Sequence, residues 1–90
     1  MNVYIVTYDL NREIVRPNIL GAIRKYNWAK LSESSYAIET HETPRDVFNA
    51  LKAAIDANDT IYVIPLQKPY AGFGPAEVNR WLEEKLPWRY

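Results

Sequence analysis

The residue with the sharpest chemical potential is Asp9, a carboxylate that directly follows the run Asn2-Val3-Tyr4-Ile5-Val6-Thr7-Tyr8. Hard divalent cations such as Mg²⁺ or Mn²⁺ take oxygen ligands, commonly one or two carboxylates plus waters. An ion so held can activate a water against a phosphodiester. One carboxylate is too few for that task, so the reading requires a two-fold axis that brings a second Asp9 beside the first. The competing reading is local: Asp9 and Asn11 together suit an Asx-type turn after a strand. Arg12, Arg16, Arg24 and Lys25 lie close behind, and Arg12 and Arg16 would be the cations that neutralise a phosphate, since guanidinium matches its oxygens bidentately. Their alternative is a solvated helix face paired with Glu13 and other acids.

Tyr4, Tyr8, Tyr36 and Tyr62 form a second set. Aromatic rings on an open sheet face can stack bases, with Tyr8 nearest Asp9. No Lys/Arg-Gly-aromatic-Gly pattern accompanies them, and burial in a dimer interface accounts for them as well. His41, the only histidine, precedes Glu42. It could serve as a general base if a dimer carried it to Asp9, and otherwise reads as a residue before a helix cap. Gly72-Phe73-Gly74 before a helix resembles a phosphate-binding turn but lacks the full Gly-x-Gly-x-x-Gly spacing. The glycines read more simply as a sharp turn, with Tyr70, Phe73, Trp81 and Trp88 forming a satellite cluster.

These residues need elements to hold them. Residues 2–8 are apolar at both parities, as in a central strand: Val3 and Ile5 on one face, Tyr4, Val6 and Tyr8 on the other. Asp9 to Arg12 is a turn. Pro17 opens a helix over about 17–27 carrying Ile19, Leu20, Ile23 and Tyr26. Residues 28–31 form a short strand, Glu33-Ser34 a hairpin turn, and 35–40 a third strand. Thr43 caps a second helix, with Asp46 in its first turn and Val47, Leu51, Ala54 and Ile55 on one stripe; Asn58-Asp59 end it. Residues 60–66 are a fourth strand, at an edge or ending near Pro65. A loop over 67–75 leads to a third helix with Val78, Trp81, Leu82 and Leu86 on one face.

The order β-α-β-β-α-β within 90 residues predicts a single α+β domain, a ferredoxin-like sandwich with core 2–66 and a C-terminal loop and helix over 67–90. Right-handed crossovers put the first two helices on one sheet face. The other face is left open, holding either Tyr4 and Tyr8 or the opposite parity. It calls for a cover: a second copy, the third helix or a ligand.

Composition narrows the classes. Cysteine is absent, which excludes disulfides and thiolate chemistry. The first apolar run breaks at Asp9, too short for a signal peptide or membrane span, so a cytoplasmic protein is expected. Eleven basic residues against eleven acidic ones give zero net charge, unlike the basic surplus of proteins that rely on many phosphate contacts.

The run Val3-Tyr4-Ile5-Val6-Thr7-Tyr8-Asp9-Leu10 resembles the first strand of the CRISPR-associated protein 2 family, where an apolar strand ends in Tyr-Asp. Ser34-Ser35-Tyr36-Ala37-Ile38-Glu39 is similar to that family's third strand, and Asp59-Thr60-Ile61-Tyr62-Val63-Ile64-Pro65-Leu66 to the end of its fourth. The resemblance covers about residues 2–66. It implies a ferredoxin-like fold, a homodimer through the open face, and handling of DNA or RNA. Some members are metal-dependent nucleases, others structural subunits of a spacer-integration complex, and the related virulence-associated protein D toxins are ribonucleases. Asp9 matches the strand-end carboxylate proposed to bind the metal. The neutral charge and the stretch after Leu66 depart from the family pattern, and point to a divergent stand-alone relative or to a non-catalytic dimerisation domain with the same fold.

Overall fold

The structure, a computed structural model, describes residues 1–89; Tyr90, the end of the expected C-terminal segment, lies outside the described residues. Four strands, β1 (Asn2–Asp9), β2 (Asn27–Ser32), β3 (Ser35–Thr40) and β4 (Thr60–Pro65), form one antiparallel sheet in the order β2-β3-β1-β4. Helix α1 (Arg16–Ile23) follows a single 3-10 turn at Glu13–Val15, α2 (Pro44–Lys52) links β3 to β4, and α3 (Ala76–Lys85) closes the chain. This is the ferredoxin-like α+β arrangement, with β1 in the interior of the sheet.

The local chemistry explains the elements. Pro17 lies in the first turn of α1, where a missing N–H removes no helical bond. Thr43 and Asp46 form a reciprocal capping box on α2, each side chain accepting from the other's backbone N–H. Both helices are shorter than their apolar spacing predicts. Past Ile23 and past Lys52 the backbone tightens into bonds three residues apart, such as Tyr26 N–H to the Ile23 carbonyl and Ala54 N–H to the Leu51 carbonyl. Tyr26, Ala54 and Ile55 still pack on the core from these turns, so the stripe continues after the helix has stopped.

The core lies between the sheet and the α1–α2 layer. Tyr4, Val6 and Tyr8 from β1, with Tyr36 and Ile38 from β3, meet Ile19, Ile23, Val47 and Leu51. Two ring tips reach opposite rims of the sheet, where the Tyr4 hydroxyl donates to the Glu42 carbonyl and the Tyr8 hydroxyl to the Glu33 carbonyl. A tyrosine suits such a position because its body is apolar and its tip is not.

Val3, Ile5 and Thr7 therefore occupy the second face. α3 covers the β2–β3 side of that face: Trp81 Nε1 donates to Asn27 Oδ1 at 3.2 Å, Lys85 lies 3.7 Å from Glu39, and Leu86 is buried. The β4 side stays bare, with Tyr62 61% and Ile64 49% exposed. The cover is thus half supplied by the chain itself. Among the described residues, no helix is long and apolar enough to cross a membrane.

Candidate functional site

Asp9 ends β1 opposite Thr60 of β4. Alternation along the strand puts its side chain on the same face as Ile5 and Thr7, and hence as Tyr62 and Ile64 across the ladder. It is exposed, and among the described residues its carboxylate takes no hydrogen bond or ion pair. The turn role expected of it belongs to another residue. Asp59 accepts the N–H of Asn11 at 2.6 Å through Oδ1 and the N–H of Asp56 at 2.7 Å through Oδ2. One carboxylate thereby braces both loops at this end of the sheet, and Asp9 is left unengaged.

The expected phosphate-binding cations are already paired. Arg12 makes a 2.8 Å ion pair with Asp56, which holds the guanidinium above its usual pKa chiefly through that hydrogen bond. Arg16 grips Glu13 through Nε at 2.6 Å and donates from Nη1 to the Glu33 carbonyl at 2.6 Å. The bond to Glu13 pushes Arg16 upward, and holds the Glu13 carboxyl below the usual carboxylate range. Both arginines act as struts between the loop after β1 and its neighbours.

The structure corrects the tyrosine set. Tyr8 is only 4% exposed and lies under the helix layer, as do Tyr4 and Tyr36. Arg16 stacks on Tyr8 at 5.7 Å from the ring centroid, and burial pushes its phenol pKa up. Neither ring face of Tyr8 is open to a base, because β1 turns this parity toward the helices. Only Tyr62 of the four stands on the bare face.

His41 sits in the bend between β3 and α2, beside the Asn2 end of β1, because Asn2 pairs with Thr40. A strand of this length separates it from Asp9 by roughly 24 Å within one chain. Its neighbour Glu42 accepts from the Tyr26 hydroxyl at 2.7 Å; burial first, then this bond, pushes Tyr26 up to about 12. The C-terminal aromatic residues do not form the expected packed cluster. Phe73 is fully exposed, and the region is tied by polar contacts instead: Lys68 N–H to the Pro87 carbonyl at 2.6 Å, Lys68 Nζ to the Glu83 carbonyl at 2.6 Å, and Lys68 over the Trp88 ring. No glycine has positive φ, so Gly72 and Gly74 do not form a glycine-specific anion cradle.

Oxygen ligands such as Asp9 suit a hard divalent ion. Among the described residues no three His, Cys, Asp or Glu side chains converge, so one chain alone supplies too few ligands, while two copies would supply a pair. What sequence reasoning missed was Asp59, since a helix-ending Asn-Asp pair gives no sign of which loops its carboxylate will tie.

Fold and site together define a ferredoxin-like α+β domain with an unengaged strand-end carboxylate beside a bare half-sheet. No family model matches the chain, and no curated protein does. Among solved structures, it is similar to a hypothetical protein, TT1823, from Thermus thermophilus. The TM-score is 0.64 at 19% identity, over 82% of this chain and 94% of that one. At that identity the likeness speaks to the fold alone.

Proposed function

We propose that the protein is a cytoplasmic homodimer that acts on or with nucleic acid, in the manner of the CRISPR-associated protein 2 family. In this reading Asp9 of each copy contributes to one Mg²⁺ or Mn²⁺ site for metal-assisted phosphodiester hydrolysis. The observation that supports it is the placement of Asp9. It is unengaged, and it shares a face with the exposed Tyr62–Ile64 strip that a second copy would cover. A two-fold axis that runs along β1 past Thr7 to Asp9 would bury that strip and bring the two carboxylates together. Bound between them, a divalent ion would supply an activated water and charge for the phosphodiester. The protein's own part is to hold the end of β1 that carries each carboxylate: Asp59 and the Arg12–Asp56 pair tie the loops beside it. Arg12 and Arg16 would reach a phosphate only by exchanging a present partner.

The test is cleavage of single-stranded RNA and DNA by purified protein with Mg²⁺ or Mn²⁺. The proposal expects cleavage that is lost on chelation and in Asp9→Asn; cleavage indifferent to Asp9→Asn would remove it. A second reading, a non-catalytic dimerisation or adaptor domain, is favoured by the zero net charge and by the pairing of both arginines. It expects a dimer with no measurable cleavage and no salt-dependent affinity for DNA or RNA.

A further inference from the structure

β4 is an edge strand, and its free edge runs beside α2. The register identifies which backbone groups point outward. Leu66 N–H donates to the Val3 carbonyl, so Leu66, Ile64, Tyr62 and Thr60 turn their polar groups toward β1. Ile61, Val63 and Pro65 turn theirs away. Pro65 has no N–H, which leaves Ile61 and Val63 as outward donors and acceptors two residues apart. Among the described residues neither has a backbone partner on that side.

Along this edge lie two adjoining hollows of about 740 and 490 Å³, which share Phe48, Ile61 and Tyr62. Their upper wall is α2. Arg45 and Lys52 flank Phe48 on that helix, with charged groups 5.5 and 5.8 Å from the ring centroid, and neither makes an ion pair among the described residues. Asp56 and Asp59 line the far end, but Arg12 and two backbone N–H groups already engage them.

We infer that this groove binds an extended acidic peptide segment of a partner protein, added as a fifth strand to β4. Backbone pairing at Ile61 and Val63 fixes the segment. Alternate side chains then point to opposite sides of the sheet. Those facing α2 meet Arg45 and Lys52, and acidic side chains satisfy both. Those on the other side extend the Tyr62–Ile64 face outward by one strand, where apolar side chains continue its exposed apolar surface and leave that strip itself free for a second copy. The pattern selected is therefore alternating acidic and apolar. A sugar-phosphate backbone has no N–H to donate to the outward carbonyls of Ile61 and Val63, so this free edge favours a peptide over a single-stranded nucleic acid. The inference does not depend on Asp9.

The probe is a fluorescein-labelled, capped pentapeptide of sequence Val-Glu-Val-Glu-Val, titrated by anisotropy and by ¹H–¹⁵N NMR against the full chain. Expected are saturable binding and slowed amide exchange at Ile61 and Val63. Arg45→Glu combined with Lys52→Glu weakens binding about tenfold or more, as loss of charge-assisted contacts should. Both residues are exposed, so the double variant folds; its unchanged NMR dispersion is the control. A peptide N-methylated at alternate amides should not bind. Three results overturn the inference: no saturation, equal affinity for a lysine-for-glutamate peptide, or an oligothymidylate displacing the peptide from the same residues. Concentration-dependent protection of Ile61 and Val63 without peptide would overturn it too, by assigning the edge to a second copy.

Discussion

Replacing Asp59 with alanine should destabilise the fold, whereas the same change at Asp9 should not. Asp59 accepts two backbone N–H groups, at 2.6 and 2.7 Å, from loops 48 and three residues away in sequence. A backbone hydrogen bond contributes about 1 kcal/mol net, somewhat more to a charged acceptor. Asp59 is half-buried, so water can replace part of what is lost. The expected cost is therefore about 1–2 kcal/mol. For a domain of this size each kcal/mol lowers Tm by about 4–8 °C, so Asp59→Ala should melt about 5–15 °C lower. Asp9, exposed and unengaged, should change stability by less than about 0.5 kcal/mol on conversion to alanine. Thermal and urea unfolding followed by far-UV circular dichroism would read both. Equal destabilisation by the two variants would show that Asp9 braces the turn after all, and the functional argument for it would fall.

Other expectations are as direct. Thr43→Ala removes half of the α2 capping box and should cost about 1 kcal/mol, read as a lower urea midpoint. Tyr26 should ionise at about 12 when followed by absorbance at 295 nm, and Tyr26→Phe should remove that step. Its folded value lies above the unfolded one, so the stability it contributes is complete below about pH 10 and lost as pH rises through 12. Glu13 has the opposite sign: its contribution is present above the ordinary glutamate range and lost as pH falls through its lowered value. Arg16→Met should return the Glu13 carboxyl, followed by NMR titration, toward its ordinary value; an unchanged titration would contradict the pairing. Tyr62→Glu with Ile64→Glu should give a monomer by light scattering if the bare strip is the dimer face.

The fold was legible because its signals are local. Pro17 and the Thr43–Asp46 box mark helix starts, the β-branched runs mark strands, and handed crossovers settle how they assemble. The facing of β1 was not legible, since a strand apolar at both parities leaves the choice to the helices that pack on it. That single choice put Tyr8 in the core and Asp9 on the bare face. Helix ends were overextended because Ala54 and Ile55 keep the apolar spacing while the backbone has already tightened. At the site, Asp9 could be named from its place at a strand end. Its freedom could not, because the residue that relieves it, Asp59, is fifty positions away.

Whether two Asp9 carboxylates share one ion is read most directly from a crystal of the protein soaked in Mn²⁺, through anomalous scattering at the manganese edge. The account predicts one manganese peak per dimer, on or near the two-fold axis and within bonding distance of both Asp9 side chains, absent in Asp9→Asn. A dimer whose Asp9 residues lie far apart, or manganese bound elsewhere with Asp9 untouched, would contradict it.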